Sequence, residues 1–99
     1  KIQKVMLKEL NPLLHSELRL AIMSILLNAE KADFTYLLET CHATSGNLSI
    51  QLSKLQKANY ICIQKEFVGK RPQTMCFITE QGKLAFEQYV ENLKSYINL

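Results

Sequence analysis

Between Thr44 and Thr79 the hydrophobic period of this chain changes once, with no linker at the change. Leu48, Leu52 and Leu55 recur at i, i+4 and i+7, a spacing that puts side chains on one face of a helix. After Asn59 the period is two: Ile61, Ile63, Lys65 and Phe67 alternate with Tyr60, Cys62, Gln64 and Glu66, then Met75, Phe77 and Thr79 alternate with Thr74, Cys76 and Ile78. Alternation belongs to strands, and two such runs separated by a loop of about six residues make a hairpin. The stretch therefore predicts a helix over 44–58, capped by Thr44, running straight into a hairpin whose tip, residues 68–73, reads "VGKRPQ".

Upstream, Ile2, Val5, Met6 and Leu10 share one side of a helix over residues 1–10. Asn11-Pro12 ends it, because the residue before a proline is pushed out of the helical region. Ser16 caps a first core helix, "ELRLAIMSILLN", with Leu18, Ile22, Ile25 and Leu26 as its apolar stripe. "ADF" reads as a short extended piece before Thr35 caps a second helix, "YLLETCH", and Ala43 and Thr44 turn into the third. Thr79 caps a last helix over 80–98 with Leu84, Phe86, Tyr89, Val90, Leu93 and Ile97 as apolar positions; Gly82 in its first turn is a mild blemish. Two short helices joined by a tight turn, the second followed by a hairpin, is the layout of a winged helix-turn-helix. The expected architecture is α+β, mainly α: one domain over 1–99, with an N-terminal helix (1–10), a winged core (13–79) of three helices and a hairpin wing, and a C-terminal dimerisation helix (80–98). Ninety-nine residues with 47% apolar content suffice for one core, yet the domain is small enough to be helped by a partner chain.

Charge is unevenly placed. From Thr44 to Thr79, Lys54, Lys57, Lys65, Lys70 and Arg71 face the single acid Glu66, so five cations less one acid give +4, and the rest of the chain must carry −1 to reach the total of +3. A surface that meets phosphate concentrates charge in this way. Cys41, Cys62 and Cys76 are odd in number and form no paired spacing, which supports neither a disulfide framework nor a metal knuckle. No apolar run approaches the roughly 18 residues of a membrane span, and "KIQKVMLKEL" lacks the continuous apolar segment of a signal peptide. A cytoplasmic protein with no membrane partner is expected.

With the leucines of the third helix turned inward, its other faces carry small and hydrogen-bonding residues at the entrance and cations further along. Thr44, Ser45, Gly46 and Asn47 stand at the N-terminus, where free backbone N–H groups favour a phosphate. Ser49, Ile50, Gln51, Lys54 and Lys57 follow. Asn47 and Gln51 have the amide geometry that pairs with adenine, and Ile50 suits a thymine methyl. At the hairpin tip, Lys70 and Arg71, with Gln73 beside them, sit where a cation reaches a minor groove or flanking phosphates. Gly69 allows a positive φ there and Pro72 stiffens the chain. Taken singly, an amphipathic surface helix and a basic turn are ordinary; their succession is what points to double-stranded DNA.

The stretches "LLHSELRLAIMSILL", "ADFTYLLE", "SGNLSIQLSKLQKANYI" and "KEFVGKRPQTMCFITEQGK" follow one another in a way that resembles the compact winged-helix transcriptional regulators of bacteria, similar to the MarR and ArsR groups and nearest a short MarR-like type. The resemblance covers Leu13 to Val90, and its most specific parts are Gly46-Asn47-Leu48-Ser49 and the run from Gly69 to Gly82. It implies a homodimer on a pseudo-palindromic operator, most simply a repressor acting by promoter occlusion. Relatives usually carry a basic residue and then histidine where this chain has Ile50 and Gln51, and glycine where it has Asn59.

The two end helices cannot bury their apolar faces on so small a domain, which makes Leu84, Tyr89, Val90, Leu93, Tyr96 and Ile97, with Met6 and Leu7, the expected dimer interface. His15, Cys41, His42, Cys62 and Cys76 make no convincing set of metal ligands, and no motif for catalysis or a cofactor is present. A small-molecule effector stays open, its pocket confined to the helices between subunits. The competing function is a winged helix used for protein interaction without DNA. A structured-RNA target is disfavoured, since the deep narrow major groove of RNA excludes a helix.

Overall fold

The computed structural model describes residues 7–98. Along the chain lie α1 (Glu17–Ala29), β1 (Lys31–Asp33), α2 (Phe34–Thr40), α3 (Ser45–Lys57), β2 (Ile61–Val68), β3 (Arg71–Ile78) and α4 (Glu80–Ile97). Each helix starts on a side-chain oxygen that accepts an otherwise unpaired backbone N–H: Ser16 from Arg19, Thr44 from Asn47 and Thr79 from Gly82. At α2 the cap is Asp33, accepting from Tyr36 at 2.7 Å, and not Thr35 as expected. The strand residue doubles as the cap, so α2 begins earlier and ends at Thr40 rather than His42.

Both junctions of the helix-turn-helix end in the same device. After α2, His42 N–H donates to Glu39 O and Ala43 N–H to Leu38 O, with His42 at φ 53°. After α3, Asn59 N–H donates to Gln56 O and Tyr60 N–H to Leu55 O, with Asn59 at φ 65°. These are paired closures that reverse a chain out of a helix, and they need a left-handed residue. Asparagine and histidine both tolerate that conformation better than most side chains, but neither does so as freely as glycine. His42→Gly is expected to stabilise the fold by about 0.5 to 1 kcal/mol in urea denaturation.

The three strands form one antiparallel sheet in the order β1-β3-β2. Lys31 pairs with Phe77 and Asp33 with Met75, while Ile61 pairs with Ile78 and Val68 with Arg71. The hairpin is thus tighter than the expected loop over 68–73: only Gly69 and Lys70 link the strands, and Gly69 has φ 65°. Glycine first in a two-residue link is the arrangement whose twist suits a hairpin. In such a hairpin the flanking pair exchanges hydrogen bonds and the next pair does not. Pro72, paired with Phe67, therefore turns its missing N–H to the outer edge of β3, and β1 reaches only Met75 to Phe77 there.

The core gathers Leu14, Ile22, Met23, Leu26, Ala32, Leu37, Leu48, Leu52, Leu55, Ile61, Cys76 and Tyr89. Leu48, Leu52 and Leu55 are buried as the spacing required. On α1 the fully buried residues are Ile22, Met23 and Leu26, with Leu18 and Ile25 at the margin, because that helix packs on α3, on β1 and β3, and on α4 at once.

Two expectations at the ends are corrected. The first six residues of the helix expected over 1–10, Met6 included, lie outside the described residues, while 7–10 carry no regular structure. They run as a strap along α4: Lys8 N–H donates to Ser95 Oγ at 3.1 Å, Tyr96 Oη donates to Lys8 O at 2.8 Å and Asn92 Nδ2 to Glu9 O at 3.2 Å. Tyr89, expected on a dimer surface, is only 3% exposed and bonded through its hydroxyl to His15 Nδ1 at 2.9 Å. The chain's own core takes it. On α4 Leu84, Val90, Tyr96 and Ile97 stay exposed, Ile97 at 74%, while Phe86 and Leu93 are half-buried against the core; at about 100° per residue, Leu84 points about 150° away from the edge that Phe86, Val90, Leu93 and Ile97 share.

Candidate nucleic-acid interface

Thr44, Ser45, Gly46, Asn47, Ser49, Ile50, Ser53, Lys54 and Lys57 are all exposed, and Gln51 is half-buried. Burying three leucines on one side leaves these polar faces free. Thr44 Oγ1 accepts from Asn47 N at 3.2 Å, which squares off the first turn. Gln51 Nε2 donates to Asn47 Oδ1 at 2.9 Å one turn further on. Ile50 is 55% exposed and makes the middle of this surface apolar.

The side of α3 bearing Ser49, Ser53 and Gln56 opens onto a shallow groove whose other wall is the hairpin, at Ile63 and Thr74. Arg71, Pro72, Gln73 and Thr74 line a second groove with Asp33, Phe34 and Thr35 at the start of α2. Helix-turn-helix and hairpin are therefore neighbours in space, joined through β1. Lys70 and Arg71 are exposed at the tip, Gln73 half-buried below them. The ion pairs among the described residues, Lys31 with Glu66 at 4.0 Å and Lys94 with Glu91 at 3.7 Å, involve none of Lys54, Lys57, Lys70 or Arg71. Those four cations share no ion pair among the described residues.

Two features escaped the pattern of the sequence. Arg19 of α1 donates through Nη1 to Gln51 Oε1 and through Nε to Leu13 O, so a helix outside the helix-turn-helix grips the outer face of α3. No spacing rule connects residues 32 positions apart. Phe67, placed by alternation in a strand, and Val68, placed in the hairpin tip, are 72% and 60% exposed beside the tip cations. Two exposed apolar residues next to Gly69-Lys70 were the available signal.

Burial holds two of the three cysteines in their thiol form. Burial first, with Cys62 and Asp33 adding to it, pushes the Cys76 thiol up to about 11, and burial raises Cys41. No group of three or more His, Cys, Asp or Glu side chains that could hold a metal ion occurs among the described residues. Native Cys76 keeps its proton to higher pH than an unfolded thiol at 9.0. The stability it confers is full below the unfolded value and is lost as pH rises from there through about 11. Urea melts across that window should show a steeper alkaline decline for the wild type than for Cys76→Ala.

A family model described as a winged helix DNA-binding domain matches residues 18–97. The chain belongs to this family. The winged helix domain is 33% identical over 76 residues to the uncharacterized protein MJ0432 of Methanocaldococcus jannaschii, an alignment covering 77% of this chain and 83% of that one. Its fold matches a transcriptional regulator homologue from Pyrococcus horikoshii OT3, with TM-score 0.81, 29% identity and coverage of 87% of this chain and 85% of that one. It also matches ZitR of Lactococcus lactis, a zinc-responsive MarR family member, with TM-score 0.64, 21% identity and coverage of 96% and 68%. MarR-family regulators thus share the fold of this winged helix domain, which by its family is a DNA-binding domain and not an enzyme. No helix among the described residues is long and apolar enough to cross a membrane.

Proposed function

We propose that this winged helix domain is a sequence-specific regulator of transcription that reads double-stranded DNA as a homodimer and acts in the cytoplasm, most simply as a repressor that occludes a promoter. In this reading α3 enters the major groove with Asn47, Ser49, Ile50 and Gln51 toward base edges, and Thr44, Ser45, Gly46, Lys54 and Lys57 toward phosphates. The wing carries Lys70 and Arg71 into the minor groove or onto its phosphates, with Gln73 behind them. The observation that carries it is the pairing of a small, polar, exposed helix entrance with two exposed cations on the adjacent wing that share no ion pair among the described residues. A surface for protein partners has no need of both.

The homodimer rests on the exposed Val90 and Ile97 of α4, with half-buried Phe86 and Leu93 beside them, a 4-3-4 spacing that suits a helix meeting another helix. Val90→Glu with Ile97→Glu is expected to shift sedimentation from dimer to monomer. A wild type that stays monomeric at high micromolar concentration would remove the dimer from the proposal. An effector, if there is one, would lie between the helices of the two subunits.

The function is tested by fluorescence anisotropy on random-sequence duplex DNA across a salt series. Binding that weakens linearly in log salt is expected. Absence of binding at low salt would favour the protein-interaction alternative.

A further inference from the structure

The hydrogen bonds around Gln51 have a direction. Arg19 donates through Nη1 to Gln51 Oε1, and a guanidinium has donors and no acceptor. The oxygen of Gln51 must therefore face α1, which turns its amide nitrogen along α3 toward Asn47. There Nε2 donates to Asn47 Oδ1 at 2.9 Å. Asn47 must in turn point its oxygen forward along the helix to Gln51, leaving Nδ2 and its two protons outward; no hydrogen bond from that nitrogen forms among the described residues. The Nε bond from Arg19 to Leu13 O holds the guanidinium itself in place. One arginine thus sets both amides.

We propose that Arg19 is a positioning residue for base specificity: through Gln51 it orients Asn47 as a donor-only group, which selects guanine over adenine at the base pair Asn47 meets. Guanine offers two acceptors, O6 and N7, on its major-groove edge, whereas adenine sets an amino donor beside N7. The two-bond pairing of asparagine with adenine needs the side-chain oxygen outward, and here that oxygen is turned along the helix to Gln51. This refines the expectation that Asn47 and Gln51 would each pair with adenine. It rests on the DNA-binding reading above, and the test separates the two.

Sites are selected from a random duplex pool with the wild type, and the base pair whose preference disappears in Asn47→Ala is taken as the one Asn47 reads. The affinity ratio of guanine to adenine at that pair is then measured for the wild type, Arg19→Met and Gln51→Glu, each checked for folding by thermal denaturation. The wild type is expected to favour guanine by tenfold or more, and Arg19→Met to lose about tenfold of that ratio, the scale of one two-bond base contact. Gln51→Glu puts an acceptor-only carboxylate beside Asn47, so the asparagine must turn its nitrogen inward and its oxygen out. Selection should then move to a base with an exocyclic amine, adenine or cytosine. If Arg19→Met does not fold, this reversal alone decides.

A wild type that binds DNA but selects adenine, or a ratio unchanged in both variants, overturns the role of Arg19 and leaves the DNA-binding reading standing. No binding of the wild type to any duplex at low salt removes both.

Discussion

Gly82→Ala is expected to destabilise the domain by about 2 to 4 kcal/mol, although alanine is the better helix former. A methyl group at position 82 would stand 2.1 Å from the carbonyl oxygen of Tyr60, 2.9 Å from its carbon and 3.1 Å from Ile78 Cγ1. The first two are backbone atoms and cannot swing aside. The same carbonyl accepts the N–H of Thr79 at 3.0 Å, the residue that caps α4, so moving it disturbs the helix start as well. Helix propensity returns about 1 kcal/mol; overpacking against rigid atoms costs typically 1 to 3 kcal/mol and more where nothing yields. For a domain of this size each kcal/mol lowers Tm by roughly 4 to 8 °C, so calorimetry should show a drop above 10 °C at about 3 kcal/mol. Gly46→Ala is the control, since nothing lies within 4 Å of its added carbon. It should stabilise α3 by about 0.5 to 1 kcal/mol. Equal effects of the two would mean that α4 does not cross the start of β2 at this distance.

The double variant Lys70→Ala with Arg71→Ala is expected to weaken binding to random duplex DNA by roughly 10- to 100-fold near 0.1 M salt and to lower the slope of log affinity against log salt by about two. Each cation that neutralises a phosphate releases counterions, so its contribution shrinks as salt rises and vanishes near 1 M. Arg71→Ala alone should lower the slope by about one. The two residues are exposed, lie at the end of a tight link and share no ion pair among the described residues, so their loss should leave the thermal midpoint nearly unchanged. An unaltered slope would sink the wing assignment while leaving α3 as the contact surface.

Much of the fold is legible in local pattern because it depends on local physics. The caps at Ser16, Thr44 and Thr79 are read from a hydroxyl before an apolar period, and all three accept the expected N–H. Leu48, Leu52 and Leu55 are read from spacing alone, and Asn59, where relatives usually carry glycine, takes the left-handed conformation. The misses share a different cause. Whether residues 7–10 coil or lie as a strap depends on Ser95, Tyr96 and Asn92, far along the chain. Whether Tyr89 faces a partner or the interior depends on which side of α4 meets the core.

The candidate site divides in the same way. Polar residues opposite a leucine stripe and cations at a hairpin tip are properties of neighbouring residues, and sequence by itself determined both, together with the succession of helix, turn, helix and hairpin. Only the tertiary structure decided that Gly82 must have no side chain, because the atom it would strike belongs to Tyr60. Only the tertiary structure brought Arg19 to Gln51, and with it the direction in which Asn47 presents its amide. Periodicity tells which face of a helix is inward. It carries no information on which backbone or side chain from elsewhere will press against that face, since a contact between distant residues is set by the packing of whole elements.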